Sequence, residues 1–275
     1  MSEKGKKLKI GIVGCGAIGS SLAKAIVSDF SQKAELVSLY DIDIEKAYNL
    51  SVKFNKKLAA LNLEDLINKV DLVIEATKAD TAFDIVKKVL SLSKDIIIMS
   101  VGGIIQHYQE LKVITEEKRA HIFIPSGAIC GIDGLKAASC GAINKVILTT
   151  KKPPKAFLGA PYLLKKKIRL DNIDKDTVLF EGNASQATRA FPQNINVAAT
   201  LSMAGIGPEA TIVRIVASPT INRNIHEIEI ESDAGKIITR TENVVHPDNP
   251  KTSYLAVLSA IATLKQILGP IKIGA

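Results

Sequence analysis

The chain has 275 residues, 47% hydrophobic and 23% charged, with a formal net charge of +8. That length and mixture give one or two compact domains with a real hydrophobic core. No apolar run approaches the ~18 residues of a membrane span, and the lysines are scattered among only 4% aromatics, so neither a membrane protein nor a nucleic-acid binder is expected. The Lys151-Lys152 pair and the Lys165-Lys166-Lys167 triplet read as solvated surface. The positive field suits an anionic substrate or a pyrophosphate. Residues 1–7 lack the apolar stretch of a signal peptide, and a cytoplasmic location is the expectation. The three cysteines, Cys15, Cys130 and Cys140, form no CxxC pair, and no metal site or disulfide framework is expected.

Strand and helix signals alternate through the first half. A short apolar strand over residues 9–13 precedes a helix over 17–28, whose stripe is Ile18, Leu22, Ala25 and Ile26. A strand over 35–40, a helix over 44–54, a strand over 71–77 and a helix over 81–90 follow. The half ends with a strand over 95–101, a helix over 107–117 and a strand over 121–124. Strands apolar on both faces and separated by helices mean a parallel sheet covered on each side.

After about Pro125 the pattern changes. A strand over 145–150 runs into Pro153-Pro154, and residues 183–203 have helical traits interrupted by Pro192. Strands over 210–216, 225–230 and 236–240 come next, the last two joined by a short turn over 231–235. Such neighbours give an antiparallel or mixed sheet. A strongly amphipathic helix over 252–268 closes the chain. The expected fold is an α/β N-terminal Rossmann domain with an α+β second domain. The expected boundaries are 1–125 with 250–275 for the first, the last helix packing back on it, and 126–249 for the second.

Gly14-Cys15-Gly16-Ala17-Ile18-Gly19 is a GxGxxG fingerprint in the required context, after a buried strand and at the opening of a helix. Gly14 permits a tight turn, Gly16 lets the backbone approach a pyrophosphate, and Gly19 lets helix and strand pack closely. The N–H groups around Ala17 and Ile18 would meet the phosphates at the positive end of the helix dipole. Asp41 lies 22 residues after Gly19, at the end of the second strand. It suits the ribose hydroxyls and repels a 2′-phosphate, so NAD is the expected cofactor and NADP the alternative. The segments at residues 75–77 and 100–103 fall at the carboxyl edge of the sheet, where the nicotinamide half belongs; loop punctuation explains each equally well.

Among four histidines, His226 is the leading candidate for proton transfer. It opens a strand in the second half, whereas His107 and His121 fall at element starts in the nucleotide half and His246 precedes Pro247 in a loop. Taken alone, a satisfied structural histidine reads equally well.

Several blocks of the second half carry a resemblance: residues 125–138 (PSGAICGIDGLKAA), 149–154 (TTKKPP), 180–184 (FEGNA), 191–199 (FPQNINVAA), 224–228 (NIHEI) and 249–253 (NPKTS). In this order they resemble the L-aspartate dehydrogenase family. The resemblance implies His226 as the active-site residue and Ala128 and Asn196 as cofactor contacts. It also implies a homodimer built through the second domain's sheet. Three positions depart from the expected pattern: Cys130 for alanine, Ser218 for aspartate and Gln186 for glutamate. The implied reaction is NAD(P)-dependent oxidation of L-aspartate to iminoaspartate, which hydrolyses to oxaloacetate and ammonia or passes to quinolinate synthase. Two carboxylates need polar and cationic partners, for which Asn194, Lys251, Thr252 and Ser253 are the candidates. The rivals are a dihydrodipicolinate reductase-like imine reductase, whose paired-histidine motif is missing here, and a non-enzymatic dinucleotide sensor.

Overall fold

Residues 10–13, 72–74 and 96–98 are apolar and buried, which only the centre of a sheet with helices on both faces provides. The computed structural model describes residues 6–192, 195–247 and 249–274. Its first half runs β1 Leu8–Val13, α1 Ala17–Ser28, β2 Ala34–Tyr40, α2 Ile44–Lys53, α3 Leu63–Asn68, β3 Leu72–Glu75, α4 Ala79–Ser91, β4 Asp95–Ile98, α5 Tyr108–Lys118 and β5 Ile122–Phe123. The five strands form one sheet in the order β2-β1-β3-β4-β5, with every pairing parallel. Sequence order reverses between β1 and β3, the topological switch at whose carboxyl edge ligands bind.

The second half runs α6 Ile132–Ala138, β6 Ile143–Lys152, α7 Pro161–Lys166, β7 Thr177–Asn183, α8 Ala184–Ala190, α9 Asn196–Ala204, β8 Ile212–Ala217, β9 Asn224–Ser232, β10 Gly235–Asn243, β11 Val245–His246, β12 Asn249–Ser253 and α10 Tyr254–Leu268. Five strands form a mixed sheet in the order β10-β9-β6-β8-β7. Only β6 and β8 pair in parallel; the other neighbours are antiparallel. Alternation along β6 and β9 gives this sheet two unlike faces. Val146, Leu148, Thr150, His226, Ile228 and Ile230 are buried on the inner face. The outer face is a ladder of ion pairs, among them Lys236–Glu229 at 2.7 Å and Lys151–Glu227 at 3.5 Å.

The chain divides into two compact units, one ending at Pro125 and resuming at Val257–Ile273, the other spanning Ser126–Ala256. Within α10, Ala260 and Leu264 are fully buried in the core that also holds Ile10, Leu22 and Leu36.

The structure departs from the sequence reading at several elements. The final helix starts at Tyr254 rather than 252, because residues 249–253 form β12, with Ser253 opposite Val245. The long helical segment becomes α8 and α9, since Pro192 lacks the N–H a continuous helix needs. β7 was not foreseen: it is an edge strand with Val178 exposed, so it lacks alternation. α3 was also missed; Asn62 caps it by accepting from the Asp65 N–H at 2.8 Å. His246 is buried on β11, not in an open loop. Lys152 is turned inward, against the surface reading of the Lys151-Lys152 pair. Lys151 faces the outer ladder, so Lys152 shares the inner face with Thr150.

Candidate active site

The glycine loop leaves β1 with Gly14 at φ +97°, and a Cβ there would sit 2.4 Å from the Ala76 carbonyl oxygen. A Cβ on Gly19 would lie 1.9 Å from the Gly14 oxygen, so α1 packs on the turn only without one. Gly16 differs: a Cβ there would meet nothing within 4 Å. The open space lies above the amino end of α1, whose N-cap Gly16 supplies no side-chain acceptor. The first-turn N–H groups at Ala17 and Ile18 therefore lack a side-chain cap, the arrangement that receives a pyrophosphate. These residues fit a dinucleotide.

Asp41 holds the loop from the end of β2. Its Oδ2 accepts from the Cys15 N–H at 2.7 Å, and its Oδ1 accepts from the Asp43 N–H at 3.0 Å. Its charge thus stands beside the loop. Burial and the neighbouring Asp41 carboxylate push the Cys15 thiol up to about 12, which removes it as a nucleophile at neutral pH.

At the carboxyl ends of β3 and β4 lie the segments 75–77 and 100–103 that the sequence marks, and Glu75, to which the sequence reading assigned no role of its own, is fully buried. Its Oε1 accepts from the Thr77 N–H and hydroxyl, both at 2.6 Å. Its Oε2 accepts from the N–H groups of Met99 at 3.2 Å and Ser100 at 3.0 Å. The Ser100 hydroxyl donates to the Thr77 carbonyl at 3.0 Å. One carboxylate thus clamps both segments that border the nicotinamide half of a Rossmann site.

In the second unit, His226 on β9 registers with Thr150 on β6 and with Thr241 on β10. His226 is 4% exposed, and its Nδ1 lies 3.0 Å from the Thr150 hydroxyl. Burial first, and the positive charge of Lys152 second, push its imidazole down to about 3. The ring is neutral at physiological pH. Lys152 is itself lowered to about 8 by burial.

Other expected residues gather on the β10 side of His226. The Ala128 carbonyl accepts from the Thr241 hydroxyl at 3.1 Å and from Asn243 Nδ2 at 3.0 Å. Asn243 Oδ1 in turn accepts from the Ser253 hydroxyl at 2.8 Å. Ala128, Ser253 and His226 are therefore linked through Thr241 and Asn243, which sequence reasoning missed. Thr252 accepts from Asn249 Nδ2 at 3.0 Å. Asn196 is the exposed first residue of α9. Asn194 and the side chain of Lys251 lie outside the described residues. The departures have local explanations: Ser218 hydrogen-bonds the Asp176 carboxylate, and Gln186 completes a capping box with Asn183.

Fold and cradle together define a class: nicotinamide-dinucleotide oxidoreductases that join a Rossmann unit to a second, mixed-sheet unit. Residues 14–125 match the family of the homoserine dehydrogenase NAD-binding domain, and residues 133–267 match the C-terminal domain of aspartate dehydrogenase. The L-aspartate dehydrogenase of Methanosarcina mazei is 46% identical over 97% of this chain and 99% of its own. That of Methanothermobacter thermautotrophicus is 41% identical over 97% and 98%. The chain belongs to the L-aspartate dehydrogenase family. The crystal structure of aspartate dehydrogenase from Thermotoga maritima matches with a TM-score of 0.76 and 26% identity, covering 98% of this chain and all of that one. Homoserine dehydrogenase from Thiobacillus denitrificans, at 13% identity and TM-score 0.63, shares the fold.

Proposed function

We propose that the chain oxidises L-aspartate at Cα with NAD or NADP, giving iminoaspartate, with His226 as general base. The observation that carries this reading is the buried His226–Thr150 pair at 3.0 Å. With the ring proton on Nδ1 donated to the Thr150 oxygen, the Nε2 lone pair is unprotonated and can take a proton. The substrate ammonium must lose a proton before its nitrogen lone pair can assist loss of hydride. An imidazole held near 3 is by itself a weak base. Two substrate carboxylates bring the negative charge that raises its basicity on binding. The nicotinamide, when bound, accepts the hydride from Cα. Gly16 and the amino end of α1 hold its pyrophosphate, and Asp41 selects NAD over NADP. Ala128 and Asn196 are the further cofactor contacts, and Asn194, Lys251, Thr252 and Ser253 the substrate contacts.

The imine then hydrolyses to oxaloacetate and ammonia or is handed to quinolinate synthase. We place the enzyme in the cytoplasm as a homodimer joined through the outer, ion-paired face of the mixed sheet. No helix among the described residues is long and apolar enough to cross a membrane. The test is a panel of amino acids assayed with NAD and with NADP. L-aspartate alone should be oxidised well, and His226→Asn should lower kcat roughly 10²–10⁴-fold with NAD affinity unchanged. A wild type that binds NAD and oxidises no amino acid would favour the sensor reading.

A further inference from the structure

Asn224 opens β9 two residues before His226, and strand alternation puts both on the inner face with Ile228 and Ile230. The register across to β10 sets His226 opposite Thr241 and Asn224 opposite Asn243. The other polar groups of this patch are engaged with one another. The Thr150 hydroxyl meets Nδ1 of His226. The Thr241 hydroxyl and Asn243 Nδ2 both donate to the Ala128 carbonyl, and Asn243 Oδ1 accepts from the Ser253 hydroxyl. Asn224 differs: among the described residues its carboxamide has no hydrogen-bond partner. The residue is half-buried. No buried side-chain nitrogen or oxygen among the described residues lacks a partner, so the Asn224 amide opens onto accessible space and not onto packed protein.

An amide held at the end of an apolar face without a partner forgoes hydrogen bonds that an arriving ligand can supply. A carboxamide offers two N–H donors and one acceptor, and a carboxylate accepts only. Successive side chains on one face of a strand stand about 6.8 Å apart, a spacing that suits a small molecule whose amine and carboxylates are a few bonds from each other. We propose that Asn224 is a substrate-binding residue: its side-chain NH₂ donates to a carboxylate of the substrate whose amine faces His226. The proposal rests on the L-aspartate reading for the identity of that substrate, and on the register of β9 and β10 for the donor itself. It accounts for an uncommitted amide in a patch whose other polar groups are all spent on each other. It also leaves His226 to the amine, since the carboxylate has a donor of its own on the same strand.

The test separates binding from turnover by using succinate, a dicarboxylate with no amine to oxidise. Its affinity for the NAD-loaded enzyme is measured by isothermal titration calorimetry for the wild type, Asn224→Ala and Asn224→Asp. Asn224→Ala should weaken succinate by about tenfold or more, the loss of a hydrogen bond to a charged group. Asn224→Asp keeps the size, loses the donors and adds a charge that repels a carboxylate, so it should bind succinate more weakly still. For L-aspartate, Asn224→Ala should raise KM by a similar factor with kcat within about threefold of the wild type, the mark of an interaction made equally in ground and transition states. The Tm and the NAD affinity of Asn224→Ala should match the wild type, because no hydrogen bond within the protein is lost. Should one variant fail to fold, the other decides. Succinate binding by Asn224→Asp within about twofold of the wild type, less than a factor expected for any hydrogen bond to a charge, overturns the proposal. Unchanged succinate affinity with a raised KM for L-aspartate also overturns it, since the amide would then serve the substrate nitrogen. A wild type with no measurable succinate affinity overturns it as well. A wild type that binds succinate through Asn224 yet oxidises no L-aspartate refutes the proposed reaction and leaves the carboxylate site standing.

Discussion

Thr150 and His226 are direct cross-strand partners on β6 and β9, and the Thr150 hydroxyl lies 3.0 Å from Nδ1 of the ring. A threonine hydroxyl can donate or accept, and the proposed base requires it to accept here, from an Nδ1–H, so that Nε2 is left free. Thr150→Val keeps the shape and removes the acceptor. The Nδ1–H would then be buried without a partner, which favours the tautomer protonated on Nε2, the wrong one for a base. We expect kcat for L-aspartate to fall about tenfold or more, equivalent to roughly 1.4 kcal/mol, with KM for NAD unchanged. Steady-state kinetics of Thr150→Val beside Thr150→Ser, which retains the hydroxyl, checks this; equal loss in both would remove the tautomer argument.

Acid stability follows from the same ring. Folding lowers the His226 pKa from 6.5 to about 3. Between those values the unfolded chain binds a proton that the folded chain refuses. Stability from this group is present above about 6.5 and is lost as pH falls toward 3. From pH 6.5 to 5 the loss is about 2 kcal/mol. Urea unfolding midpoints should drop over that interval in the wild type and drop less in His226→Asn. Parallel slopes would show that the ring is not held neutral by burial.

Asp41 has two duties, and two substitutions separate them. Its carboxylate accepts from the loop N–H of Cys15, and its charge is expected to exclude the 2′-phosphate of NADP. Asp41→Asn keeps an acceptor for the loop and loses the charge, so NADP should be used better while NAD binding falls little. Asp41→Ala loses both and should weaken NAD by about 1–3 kcal/mol, roughly five- to 150-fold. Dissociation constants for both dinucleotides measure this. A wild type that prefers NADP would contradict the assignment.

Glu75 accepts four hydrogen bonds and donates none. Glu75→Gln is nearly the same size but turns one acceptor into an NH₂ facing N–H donors. At least one buried N–H is orphaned, at a cost of about 1–3 kcal/mol. Calorimetric unfolding should show a lowered Tm, and the affinity for the dinucleotide should fall with it as the two clamped segments loosen. A variant with unchanged Tm would mean that the segments hold each other without the carboxylate.

The nucleotide half was legible because its signals are local. Gly14, Gly16 and Gly19 stand where turn, approach and packing each demand a missing Cβ, and the apolar strands announce a covered parallel sheet. His226 was legible from its position in a strand and from the block around it. Thr150, Thr241 and Asn243 were not, because they meet His226 and Ala128 only through pairing between strands distant in sequence. Lys152 was read as surface since two adjacent lysines look alike until a sheet assigns them opposite faces. The signal existed in the alternation of β6, where Val146, Leu148 and Thr150 already pointed the way to residue 152. Thr252 and Ser253 were selected for their hydroxyls, but nothing local reveals that Asn249 and Asn243 engage them first.

The return of α10 has a bearing on how the protein is made. Ala260 and Leu264 complete a core whose earliest members, among them Ile10, Leu22 and Leu36, leave the ribosome more than two hundred residues before them. During synthesis the nucleotide-binding unit therefore waits, one helix short, with an apolar groove open to solvent until the second unit has been translated. Domains that close in order of synthesis avoid that exposure. Here the fragment coded first finishes last, and a ribosome stalled after residue 256 would carry a nascent chain that calls for a chaperone.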